Sequence, residues 1–198
     1  KKLANKITID NAMLLYLDNN VNNRWNPNEN YAREFLELFT ILKGEQKGEG
    51  DYTNYTEHDV QMAAQVFSGY KNKNDRSIID PETGLPMGYI NVNHHVQEDK
   101  TFSSAFGNAT ISGGTDVSSI LQEHEDFVNM VFSQEATAIS YVRKLYRFFV
   151  KSEWGQTVET DIITPLAEDL RNNGFQLLPV LKKLLESEHF YDEDDSQN

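Results

Sequence analysis

The chain has 198 residues, no cysteine, and 18 Lys and Arg against 31 Asp and Glu, for a formal net charge of −13. The missing cysteines exclude disulfides, a thiol nucleophile and cysteine-ligated metals or clusters. The negative charge argues against binding nucleic acid through its phosphates, or an anionic membrane surface.

No apolar run is long enough to span a bilayer, and these residues carry no stretch that reads as a secretory leader, which says little about the parent protein. The chain opens at Lys1-Lys2 without a methionine, as expected of a fragment or processed product of a longer parent. Its length suits one helical domain with a substantial core.

Taken in order, Thr8 or Asp10 is placed to cap a short helix carrying Met13, Leu14 and Leu17. An asparagine-rich turn (Asn19, Asn20, Asn22, Asn23) leads to Trp25, positioned as a hydrophobic staple. Then comes the clearest helix, Asn26 to Gly44, with Asn26 as cap, Pro27 in the first turn and Glu29 as capping-box partner. Tyr31, Phe35, Leu38, Phe39 and Leu42 share its apolar face, and Gly44 suits the left-handed residue past its end. Glu29, Arg33 and Glu37 follow one another at one-turn spacing on the other side, flanked by Asn28, Asn30 and Glu34. Ile41 interrupts that polar side, so protein is expected against both faces.

A charged loop follows, and Thr56 with Asp59 signals a second helix bearing Val60, Ala63, Ala64 and Phe67, closed by Gly69. Lys71 to Gly114 is a long loop or β-hairpin excursion, with Asp80–Gly84 as its tip and Ser77–Ile79 and Tyr89–Val92 as its strands. Thr115 opens a helical region carrying Val117, Ile120 and Leu121, with a break expected at Glu123–Glu125. Glu135 to Lys151 is the second landmark helix. Ala138, Tyr141, Val142, Leu145, Phe148 and Phe149 make its apolar stripe, and Arg143, Lys144, Arg147 and Lys151 its basic one. The carboxylates of Asn26–Gly44 are the expected partners of those cations. Thr157 or Thr160 caps a helix closed by Gly174, and Gln176–Ser187 forms a last one, with Pro179 in its first turn. The acidic end, 192–198, is expected to fray. The fold class is mainly α: an irregular bundle of about six to eight helices with one long excursion.

The segment NPNENYAREFLELFT, then Gly48-Glu49-Gly50, then YTEHDVQMAAQVFSGY at Tyr55–Tyr70, resembles the uncharacterised bacterial domain-of-unknown-function family 1800. That family's pattern continues with His-Asp…Lys-Thr-Phe and a late KLxRFF helix, and the likeness runs from Asp10 to Tyr191. At the third motif His95, Lys100, Thr101 and Phe102 match, whereas Val96 and Glu98 replace the family's Asp and Gly. The resemblance implies a mostly helical protein of Gram-negative bacteria, exported to the periplasm, outer membrane or exterior. It implies no reaction.

Two functional classes compete. In the first, the chain is a non-catalytic structural or binding module. Its polar seam is Asn28, Glu29, Asn30, Arg33, Glu34, Glu37, Asp59, Lys144 and Arg147, with an envelope protein, a glycan or the rest of the parent chain as partner. A buried Arg33 would then contribute about 3–5 kcal/mol. In the second, Glu34, Glu37 and His95 line the pocket of a metal-assisted hydrolase. His94, His95 and Asp99 are the weak candidates for metal ligands, and no metal or cofactor is assigned. Neither an HExxH helix nor a GxSxG elbow occurs.

Overall fold

A computed structural model describes residues 1–49 and 51–191. The acidic end, 192–198, lies outside the described residues. Helix accounts for 55% of the chain, and strands appear only as two-stranded antiparallel pairs, so the class is mainly α. No helix among the described residues is long and apolar enough to cross a membrane. The chain divides into two compact units, one from Lys1 to Val131 and one from Phe132 onward.

The first unit begins with α1 (Lys2–Ile9) and α2 (Asn11–Tyr16). Asp10 caps α2, its carboxylate accepting from the backbone N–H of Ala12 and of Met13, both at 2.9 Å. Helix α1 has no such signal and was not expected from sequence. The clearest predicted helix is shorter and more irregular than its pattern suggests. It starts as α3 (Asn30–Glu34) and widens at once into a π-helical turn, Phe35–Phe39. Asn26 and Pro27 precede it, and Asn26 does not cap it.

The π turn also changes which residues face inward. Leu36 and Ile41 are buried, while Leu38 is 53% exposed, because an i→i−5 turn breaks the 3.6-residue spacing that places Leu38 on the apolar face. Thr40 closes the turn by donating from Oγ1 to Phe35 O at 2.6 Å. Ile41 lies past the end of this turn at Phe39, so its burial does not mark protein against the polar face, where Arg33 stays a third exposed.

Helix α4 (Glu57–Val66) carries the predicted capping box in full. It packs on α3, and its end supplies Phe67 to an aromatic core. The Phe67 ring lies 5.0 Å from Tyr31, 5.2 Å from Phe35 and 5.3 Å from Phe127. Phe102 stacks on Phe127 at 5.4 Å. Such edge-on and offset contacts each add about 0.5–1.5 kcal/mol beyond burial. Phe127 comes from α5 (Val117–Ser133), which is continuous through Glu123–Glu125. The expected break there does not form, because Glu123 and His124 point into the interior rather than at solvent.

The excursion takes part in two short antiparallel pairs, arranged differently from a simple hairpin. With β1 (Gln46–Gly48) and β2 (Asp51–Tyr52) pairing ahead of it, β3 (Tyr70–Lys71) pairs with β4 (Tyr89–Ile90). The Tyr89 segment therefore returns to the end of α4 rather than to Ser77–Ile79, where only an Ile79–Pro86 bridge forms. β5 (Lys100–Thr101) and β6 (Thr110–Ile111) make the last pair. Gly69 makes the return possible. Its φ is +82°, and a Cβ there would come within 2.8 Å of Asn91 O and 2.9 Å of His95 N.

In the second unit α6 (Glu135–Phe149) packs on a bent helix: α7 (Gln156–Val158), a π turn at Glu159–Ile163, then α8 (Thr164–Asn172). Gly155 precedes α7, so neither Thr157 nor Thr160 caps it. The π turn has a covalent cause. Pro165 offers no N–H and its ring would clash with the carbonyl four residues earlier, so the chain widens just before it. Thr164 Oγ1 donates to Glu159 O at 2.9 Å, closing the turn. α9 (Leu177–Leu185) completes the unit. The buried line of α6 is Ala138, Val142 and Tyr146 at i, i+4, i+8; Phe148 is 80% exposed. Arg143 meets Glu159 at 2.6 Å, and Arg147 lies over the Trp154 ring, so Arg143 finds its carboxylate within its own unit.

Candidate functional site

In the first unit the motif residues turn toward one another. Arg33 donates in a fork to Glu57, from Nη1 at 2.6 Å and Nη2 at 2.7 Å, and to Glu29 at 3.1 Å. Its guanidinium holds the Glu57 carboxyl below the ordinary carboxylate range. The Arg33 side chain is still a third exposed, as is that of Glu57. The full cost of a buried pair therefore does not apply. Arg33→Ala is expected to lower stability by about 1 kcal/mol, as for a well-formed partly screened pair. A urea-unfolding loss above about 3 kcal/mol would show that the pair acts as a buried one.

The neighbouring polar residues serve the local backbone. Asn28 Oδ1 accepts from Asn30 N at 2.9 Å, and Asn30 Nδ2 donates to Leu17 O. Glu37 pairs with Lys43 at 2.8 Å. Glu34 is half-buried, with no side-chain hydrogen bond or ion pair among the described residues. Asp59 is fully buried and ties the start of α4 to the loop at Ser103. It accepts from Thr56 N at 2.8 Å, and from Ser103 N and Ser103 Oγ, both at 2.7 Å. In the second unit Lys144 lies over the Tyr141 ring and Arg147 over Trp154.

The deepest polar cluster centres on His95. Its side chain is fully enclosed. Nδ1 lies 2.8 Å from Ser68 O, and Nε2 lies 2.9 Å from Glu123 Oε2. The Ser68 hydroxyl lies 3.3 Å from Nδ1 as well, so both ring nitrogens have polar partners inside the fold. Glu123 Oε2 also accepts from Gly114 N at 2.6 Å. Its other oxygen lies 2.7 Å from Lys100 Nζ, at ion-pair distance but without good hydrogen-bond alignment. Lys100 donates to Val96 O as well. Burial lowers the Lys100 pKa, and the Glu123 charge opposes that shift. Lys100 and Glu123 are both fully enclosed, where two charges persist only when they meet. Beside them His124 is buried with Nδ1 3.2 Å from Tyr70 Oη, and burial pushes its pKa down to about 4.

Sequence reasoning singled out His95 and missed Glu123 and Ser68. Lys100 was visible only as a motif match. No hydrogen bond or ion pair joins His95 to Glu34 or Glu37. His94 packs edge-on against Trp25 at 5.3 Å, and exposed Asp99 accepts from Gly113 N, so these two weak metal candidates, like His95, serve other contacts. Trp25 is 70% exposed and does not act as a staple. Among the described residues no three His, Asp or Glu side chains stand close enough to hold an ion.

No curated protein and no solved structure matches this sequence. One family does, over residues 1–198, and its description reads protein of unknown function (DUF1800). The match spans the whole chain and takes in Arg33, Glu57, Asp59, His95 and Lys100. The chain therefore belongs to the DUF1800 family.

Proposed function

We propose that this chain is a non-catalytic structural or binding module of an exported bacterial protein, in which the polar motif residues lock helices and loops to one another. One observation carries the reading. His95, the side chain best suited to acid–base or metal chemistry, is fully enclosed and committed at both ring nitrogens to Ser68 and Glu123. The Glu29–Arg33–Glu57 group and the Thr56–Asp59–Ser103 group act in the same sense, each joining segments distant in sequence. The seam of Asn28, Glu29, Asn30, Arg33, Glu37 and Asp59 is thus a set of local clamps. Export and a place in the cell envelope rest on the family resemblance.

Acylation of histidines by diethyl pyrocarbonate, read by mass spectrometry of the folded protein, separates this reading from an enzyme with a working histidine. His58 is exposed and is expected to react, whereas His95 is expected to react only on unfolding. Rapid modification of His95 in the native protein would overturn the reading.

A further inference from the structure

Lys100 and Glu123 differ from the other lysine and arginine pairs of the first unit. Among the described residues, the other paired cations, from Lys2 to Lys73, keep part of the side chain in water. Lys100 and Glu123 have no exposure on either side.

The surroundings of the Glu123 carboxyl suit an acyl centre better than a plain counter-ion. Oε2 has two partners: Gly114 N donates to it at 2.6 Å, and His95 Nε2 lies 2.9 Å away. Only a glycine lets the backbone come so close, since a Cβ on Gly114 would fall 2.4 Å from Ile120 N. Oε1 receives no hydrogen bond, although Lys100 Nζ stands 2.7 Å from it. Nζ is fixed there by its bond to Val96 O. From that position the nitrogen is within about 4 Å of Cδ, near the roughly 3–3.5 Å from which a held nucleophile attacks. Burial also lowers the Lys100 pKa. In so dry a site the ammonium can pass a proton to the carboxylate, leaving a neutral amine beside a neutral acid.

We propose that Lys100 and Glu123 join through a side-chain amide, a self-formed cross-link between β5 and α5. Nζ bonds to Cδ, and the charge that builds on Oε2 is met by Gly114 N–H and by His95 in the tautomer protonated at Nε2. The Cδ–Oε1 bond breaks. Oε1 leaves as water with two of the three ammonium protons, and the third stays on the amide nitrogen. No oxidant, metal or activating group is consumed. The product removes two buried charges, and the exclusion of water protects it from hydrolysis. The inference rests on the reading of the His95 network as a lock, and makes that lock covalent. It turns over no substrate.

Intact-mass spectrometry of the folded 198-residue chain tests it. The mass is expected about 18 Da below that of the sequence, the loss of one water. Digestion should then give a branched peptide that carries both Lys100 and Glu123, with no tryptic cleavage after Lys100. Chain purified in urea and never folded should show the full mass, and lose the water on refolding. Lys100→Arg keeps the charge but not the nucleophile, and should stay at full mass. Glu123→Ala strands the Lys100 ammonium whether the parent holds an ion pair or an amide, so the cross-link is read by mass and not by stability. Full mass in the native parent overturns the proposal, as does a water loss that maps to other residues or survives in Lys100→Arg. Full mass with His95 still shielded from diethyl pyrocarbonate removes the cross-link alone. Full mass with His95 reactive removes the locking reading as well.

Discussion

Glu123→Ala is expected to be the most damaging single substitution in the first unit. It removes the one carboxylate shared by His95 Nε2, Gly114 N and Lys100 Nζ. Lys100 would keep Val96 O but lose its counter-charge, inside a site with no exposure. Breaking one side of a buried ion pair costs about 3–5 kcal/mol. For a protein of this size that corresponds to a fall of about 6–20 °C in Tm. Lys100→Met in the same background should restore much of the loss, because the stranded ammonium is then gone. A Tm within about 2 °C of the parent for Glu123→Ala would mean that solvent already reaches the pair.

His124 should dominate the acid sensitivity of the fold. Its folded pKa is about 4, against 6.5 for a free histidine, because burial beside Tyr70 disfavours the imidazolium. The unfolded chain therefore takes up the proton first. The contribution is fully present above about pH 6.5, declines as pH falls, and is gone below about pH 4. The gap corresponds to roughly 3 kcal/mol. Glu57, held low by Arg33, adds its own loss only below its ordinary carboxylate range, near 4.5. His124→Gln should flatten the urea-unfolding profile between pH 6.5 and 4.5 relative to the parent. Parallel profiles for the two proteins would rule out the buried neutral histidine.

Local signals were legible and remote ones were not. The Thr56–Asp59 capping box and the Asp10 cap are spelled out within three or four residues, and both form as read. Gly69 and Gly174 follow their helices with positive φ as read; Gly44 also has positive φ, but the helix it was expected to close has already ended at Phe39. The Asn26–Gly44 pattern misled because a π turn leaves no simple periodic mark, so Leu38 was placed inward and Leu36 overlooked. Glu123 looked like a helix-breaking charge. Its role depends on Ser68, His95, Lys100 and Gly114 converging on it, and no spacing along the chain encodes that meeting. Arg33 was recognised as paired, but its stronger partner is Glu57 on the next helix rather than Glu37 on its own.

That last difference follows from the widened turn at Phe35–Phe39. Ahead of it, Arg33 reaches back to Glu29 and across to Glu57. Beyond it, Glu37 is swung out of line and engages Lys43. One rod thus presents two independent polar edges, and the extra residue is the swivel between them. Excising that residue would straighten the rod, drive Leu38 toward the aromatic core and pull Leu36 from it, so in this chain the charged letters of the motif depend on the irregularity between them.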